Sequence, residues 1–232
     1  MTEKIFSAEE LLEGTVLLFN KSIDWTSFDV VNKVRYQVKS KKNLSAIKVG
    51  HAGTLDPKAS GLLIICTGKK TKEIDQFSGL DKEYIATFKL GETTPSFDTE
   101  TDVDETFPID HLNQSLISEV VATFVGVHEQ MPPDFSAKKV DGKRAYLSAR
   151  KGKKIELKTA TIEIKEIEVL EINIPYITLR IVSSKGTYIR AIARDLGQAL
   201  KTGAYLTELK RTKIGKFTLD EAITVEQFQK ML

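Results

Sequence analysis

The chain has 232 residues, of which 41% are hydrophobic and 28% charged, with 14 Gly and 6 Pro. That is a globular composition with enough apolar residues for a sizeable core, which excludes disordered and collagen-like chains. The net charge of +2 says nothing by itself about a polyanionic partner, and the single Cys66 with scattered His51, His111 and His128 excludes a disulfide scaffold or a zinc cluster. The longest apolar run, Leu62 to Cys66, is five residues, against roughly 20 for a membrane-spanning helix. Met1 to Ile5 lack the basic and apolar segments of a secretory signal, so a cytoplasmic location without membrane contact is expected.

In chain order, Val16 to Phe19 predicts a short buried strand. Thr26 and Ser27 offer caps to a helix with Asp29 in its first turn and Val30, Val31, Val34 and Val38 at helical spacing. Tyr84 to Leu90 alternates as a strand that Gly91 ends, and the acidic, aperiodic stretch Glu92 to Asp110 reads as a long loop. Leu112, Leu116, Val120, Val121 and Phe124 mark an amphipathic helix. Ile162 to Ile172 reads as strands broken by a turn or bulge, and Ile177, Leu179 and Ile181 alternate cleanly. After Gly186, Thr187 is placed to cap a helix carrying Ile189, Ile192, Ala193 and Leu196, weakened at Gly197. Helices and strands do not alternate strictly, which favours α+β with a mixed sheet over a doubly wound fold.

Charge is unevenly distributed. Asn32 to Lys48 holds six basic residues and no acidic ones, Lys138 to Lys158 nine against two, and Lys185 to Lys216 eight against two, while Glu92 to Asp110 holds seven acidic residues and no basic ones. Brought to one face, the basic stretches would suit a phosphate backbone; kept apart, they are ordinary solvated surfaces.

The densest cluster of turn-forming and polar residues is Gly50-His51-Ala52-Gly53-Thr54-Leu55-Asp56-Pro57. Its glycines permit close backbone approach and Pro57 restricts Asp56 to an extended backbone, so a carboxylate on a stiff loop is expected, or else a residue that simply opens a turn. Gly68-Lys69 lacks the rest of a phosphate loop and no dinucleotide fingerprint occurs, which argues against a nucleotide-binding P-loop and cofactor-driven redox chemistry.

This cluster, with Ala59, Gly61, Gly68 and Thr71-Lys72, resembles the catalytic loop of the bacterial tRNA pseudouridine-55 synthases, the TruB family. Further matches follow in family order at Lys21, Thr26-Ser27, Lys82, Tyr84, Leu90-Gly91, Thr93 and Asp98. They continue at Gln130, Pro132-Pro133, Ser136-Ala137-Lys138, Gly142, Tyr146, Ala149-Arg150 and Ser184 to Arg190, and end at Asp195-Leu196-Gly197, Gly203-Ala204-Tyr205, Leu209 and Arg211-Thr212. They extend from about Gly14 to Phe217.

The resemblance implies a pseudouridine synthase fold, α+β with a central mixed, largely antiparallel sheet flanked by helices and an active-site cleft across the sheet. It also implies a cofactor-free, metal-free isomerase that flips one T-loop uridine out of tRNA, cuts its N1 glycosidic bond, turns the base and rejoins it through C5. Asp56 matches the catalytic aspartate, acting on the sugar, on the base, or on the 2′ proton. Arg190 would pair with it, and Tyr84 would stack on the flipped base. Tyr188 and Leu209 would wall the pocket, His51 would fill the gap left in the stacked loop, and Lys21 would be a supporting basic residue. A module that binds and folds tRNA without catalysis is the alternative.

Two departures stand out. Where the family has Asp-Lys-Pro-x-Gly, this chain has Asn20-Lys21-Ser22-Ile23-Asp24, which puts the rigidity of that loop in question; Lys70 and Arg194 add positive charge. The chain reads as a single catalytic domain over residues 1–232, without the separate C-terminal RNA-binding domain of many relatives. It is expected to be monomeric, with tRNA gripped by its basic segments in a strongly salt-dependent manner and no obligate protein partner.

Overall fold

The computed structural model describes residues 5–134, 139–140, 143–144 and 157–232. The family matches at Ser136-Ala137-Lys138, Gly142, Tyr146 and Ala149-Arg150, and much of the basic stretch from Lys138 to Lys158, lie outside the described residues. The first elements are α1 (Ala8–Glu13), β1 (Val16–Lys21), α2 (Ser27–Lys42), β2 (Val49–Ala52), β3 (Ala59–Thr67), a 3-10 helix (Gly68–Glu73) and α3 (Ile74–Ser78). Next come β4 (Lys82–Leu90), β5 (Glu92–Thr93), β6 (Glu105–Thr106), α4 (Gln114–Ala122), β7 (Gly126–Gln130), β8 (Lys139–Val140) and β9 (Lys143–Arg144). The chain finishes with β10 (Ala160–Asn173), β11 (Tyr176–Ser183), α5 (Ile189–Ala199), β12 (Ala204–Ile214), β13 (Phe217–Thr218), a 3-10 turn (Leu219–Glu221) and α6 (Val225–Lys230).

Two compact units divide these elements: Met1–Glu83 with Lys210–Leu232, and Tyr84–Leu209. In the first, β3 is the central strand. It pairs antiparallel with β1, from Val16 opposite Cys66 to Lys21 opposite Gly61, and with β2, from Val49 opposite Thr67 to Ala52 opposite Ile64. The apolar run of β3 serves two cores. Leu63 and Ile65 pack with Val30, Val31, Val34 and Val38 of α2 and Phe228 of α6, while Leu62, Ile64 and Cys66 pack with Ile214. A strand covered on both faces must be continuously apolar, which explains the longest apolar run in the sequence. Helix α2 begins as predicted: Thr26 and Asp29 exchange side-chain-to-backbone bonds in a capping box.

In the second unit β10 pairs antiparallel with β11 and β7, and register shifts near Ile164 and Val169 account for its interrupted pattern. The nine-stranded sheet also includes β4 and β12, whose residues fall in both units. The described strand pairings are antiparallel, and isolated parallel bridges join Phe19 to Ile223 and Asp98 to Leu206. The α+β architecture with a mixed, largely antiparallel sheet is therefore the one expected.

Local readings need correcting in three places. Glu92 to Asp110 is more than a loop: Glu92-Thr93 pairs with Thr106-Glu105, and Thr94, Ser96 and Asp98 are buried, held by short side-chain bonds that a hydropathy pattern does not register. Thr187 does not cap α5. The cap residue is Tyr188, and the Thr187 hydroxyl donates back to the Ser184 carbonyl at 3.0 Å. Finally, Gly50-His51-Ala52 is strand rather than turn, since it pairs along β3. Among the described residues no helix is long and apolar enough to cross a membrane.

Candidate active site

Asp56 is half-buried on the irregular segment between β2 and β3. Its neighbours are fixed by bonds to their backbone. Arg211 donates to the Gly53 carbonyl at 3.0 Å and to the Leu62 carbonyl at 2.8 Å. The Ser27 hydroxyl accepts from the Leu55 amide at 2.8 Å and donates to the Leu55 carbonyl at 3.0 Å. The Asp24 amide donates to the Pro57 carbonyl at 2.8 Å, and the Ala59 amide to the Asp56 carbonyl at 3.1 Å. Gly61 carries φ +103°, and a Cβ there would meet the Arg211 carbonyl oxygen at 2.3 Å, so only glycine lets β3 and β12 approach where the loop rejoins the sheet.

The departure at Asn20 to Asp24 keeps its shape by other means. Asp24, at the position where the family has glycine, adopts a left-handed φ of 66°, which aspartate tolerates better than most residues. Lys58 pairs with its carboxylate at 2.8 Å. The Lys21 ammonium, 1% exposed, closes the same turn by donating to the Ser22 and Trp25 carbonyls at 2.9 and 2.6 Å.

Burial pushes the Lys21 amine down from 10.5 to about 8; the Asp56 carboxylate opposes that shift and the Arg211 guanidinium reinforces it. Lys21 and Arg211 thus set two buried positive charges in the electrostatic surroundings of the Asp56 segment. His51 is half-buried on β2 opposite Ile65.

The other candidate residues belong to the second unit. Tyr84, 8% exposed, lies on β4; Leu209, half-buried, on β12. Arg190 stands in the first turn of α5, 4% exposed. Its Nε lies 3.5 Å from the Asp98 carboxylate and its guanidinium donates to the Ser96 carbonyl at 3.3 Å. Asp98 is itself held by the Ser96 hydroxyl at 2.6 Å and the Glu100 amide at 2.9 Å. The Gln130 side chain grips Tyr188, accepting from its amide at 2.8 Å and donating to its carbonyl at 3.2 Å.

Residues 41–189 match the family model described as the N-terminal domain of TruB family pseudouridylate synthases. The chain belongs to the TruB family. Residues 190–232 match a second TruB model, the tRNA pseudouridylate synthase B C-terminal domain. The chain is 55% identical to the tRNA pseudouridine synthase B of Parabacteroides distasonis over 96% of its own length and 95% of the relative's. It is 50% identical to that of Flavobacterium johnsoniae, over 97% and 98%. Among solved structures it resembles a chain of an H/ACA ribonucleoprotein bound to a substrate RNA containing 2′-deoxyuridine, at a TM-score of 0.68 and 27% identity, covering 99% of this chain and 58% of that one. The chain thus spans little more than half of that solved relative.

Within the TruB frame, sequence reasoning passed over four residues as mere matches: Ser27, Asp98, Gln130 and Arg211. Each is polar, at most 4% exposed, and spent on backbone or a buried charge. Their one sequence signal was their place among the family matches, since hydropathy around them does not show their burial.

Proposed function

We propose that this chain isomerises the T-loop uridine at position 55 of tRNA to pseudouridine. The observation that carries this reading is full-length similarity to relatives named tRNA pseudouridine synthase B, and the tethered carboxylate loop at Asp56 supports it. The reaction is an isomerisation. The N1–C1′ bond breaks, uracil turns, C5–C1′ forms, the C5 proton leaves and N1 gains one, so no outside reactant is consumed. Asp56 supplies the anion at the sugar–base junction, where positive charge develops as the bond to N1 weakens.

In this reading Arg190 pairs with that carboxylate and keeps it ionised. Tyr84 offers an aromatic face against which uracil turns without losing contact. Tyr188 and Leu209 exclude water, His51 takes the place of the departed base in the T loop, and Lys21 adds positive charge. The enzyme works as a cytoplasmic monomer, with no cofactor and no obligate protein partner, and grips tRNA through its basic segments.

Mapping pseudouridine on an unmodified tRNA transcript incubated with the pure protein, beside Asp56→Asn, tests this. Modification at the T-loop uridine by the wild type alone, with at least a thousandfold slower reaction in the variant, is expected. Binding without modification by either protein would favour the tRNA-folding module, and modification at another site would overturn the substrate.

A further inference from the structure

We propose that Ser27 is a positioning residue, whose paired hydrogen bonds to the Leu55 backbone hold the neighbouring Asp56 carboxylate in register for glycosidic bond cleavage. The proposal rests on the reading of Asp56 as the catalytic anion.

Ser27 is 2% exposed, and its hydroxyl is used in both directions on one residue: it accepts from the Leu55 amide at 2.8 Å and donates to the Leu55 carbonyl at 3.0 Å. A single side chain thereby does for Leu55 what a neighbouring strand does for a residue in a sheet. It satisfies both backbone groups and fixes the orientation of the peptide that leads into Asp56.

The start of α2 does not depend on this hydroxyl. Ser27 is the first residue of α2, and the capping is done next door, where Thr26 and Asp29 form their reciprocal box. The apparent cap pair Thr26-Ser27 therefore splits into two tasks: Thr26 starts the helix, and Ser27 reaches from the helix to the Asp56 loop.

The tie falls where it has most leverage. Gly53 and Pro57 are held through their carbonyls by Arg211 and the Asp24 amide, and Leu55, 3% exposed, is the link between them. Backbone is fixed on alternate residues around Asp56, and the one proton of the Ser27 hydroxyl goes to the Leu55 carbonyl. Reaction geometry tolerates about 0.5 Å, and a misplacement of about 1 Å costs on the order of a hundredfold in rate. Loss of the tie should therefore appear in the chemical step.

The test compares Ser27→Ala, Ser27→Cys and Thr26→Ala by single-turnover pseudouridine formation, tRNA affinity and melting temperature. Ser27→Ala is expected to slow the chemical step by about ten- to a hundredfold with affinity within a factor of about three. Ser27→Cys, of similar volume but a weaker hydrogen-bonding group, should fall between it and the wild type. Thr26→Ala loses the helix cap, worth about 1 kcal/mol, and should lower the melting temperature while leaving the folded enzyme's rate within about threefold.

A Ser27→Ala rate equal to that of Thr26→Ala would overturn the proposal, as would a loss confined to affinity. If the alanine variant does not fold, a Ser27→Cys rate equal to wild type overturns it as well. Asp56→Asn separates the two readings: full activity there removes the premise, whereas an inactive Asp56→Asn beside a fast Ser27→Ala removes only the role of Ser27.

Discussion

Asp56 sits on an irregular loop whose backbone is tied at Gly53, Leu55 and Pro57, whereas Arg190 sits in the first turn of a helix with its own guanidinium against the Asp98 carboxylate and the Ser96 carbonyl. The carboxylate is aimed by fixing the chain on either side of it, and the cation by fixing the side chain itself. A loop has many backbone alternatives and must be pinned at its peptides. A helix has few, so only the long arginine side chain needs restraint. The two regions share one device: Ser27 grips both backbone groups of Leu55, and Gln130 grips both of Tyr188, two residues ahead of Arg190.

Three measurements press on this contrast. The largest effect is expected at Asp98, whose removal leaves a cation buried without that carboxylate. Asp98→Ala should cost about 3–5 kcal/mol in chemical denaturation, and a loss below about 1 kcal/mol would show that Arg190 does not depend on side-chain restraint. Gln130→Ala removes the side-chain bonds to the Tyr188 amide and carbonyl, although the carbonyl keeps the Ala191 and Ile192 amides as donors, and should cost about 1–3 kcal/mol; a larger loss than at Asp98 would erase the difference between the two regions.

The third concerns Lys21. Burial lowers this amine to about 8, so folding favours its neutral form. The strain of holding the ammonium is fully present below pH 8 and is relieved as pH rises from about 8 towards 10.5. If the positive charge supports Asp56, the single-turnover rate should fall by up to tenfold per pH unit above about 8. In Lys21→Arg, whose charge persists, that limb should vanish. An unchanged profile would confine Lys21 to closing its turn.

Elements with strong periodicity were legible in the sequence. The valines of α2 and the alternation of β4 and β11 each encode burial directly, whereas the apolar run of β3 was noted only as too short to span a membrane. The short helices α1 and α6 and the strands β7 and β12 went unread because their apolar residues are few or interspersed with charge. At the site, the Gly, Asp and Pro cluster left Asp56 as either a displayed carboxylate or a turn residue, and the resemblance to the TruB catalytic loop singled it out. Ser27 passed for a helix cap because Thr26-Ser27 satisfies that pattern equally well, and only the distances to Leu55 separate the two tasks. Asp98 was read among seven acidic residues as loop because its burial depends on Ser96, Glu100 and Arg190, residues that local hydropathy does not connect.

Gly197 interrupts the apolar pattern of α5 because a Cβ there would meet the Ala204 amide nitrogen at 2.5 Å. Seven residues earlier on the same rod, roughly 10 Å away along its axis, stands Arg190. The glycine is therefore a fulcrum: it seats one end of the helix directly on the backbone that opens β12, and the arginine rides at the other end of the lever. A methyl group at position 197 would force the helix and the start of β12 apart, at the far end of the rod from the arginine.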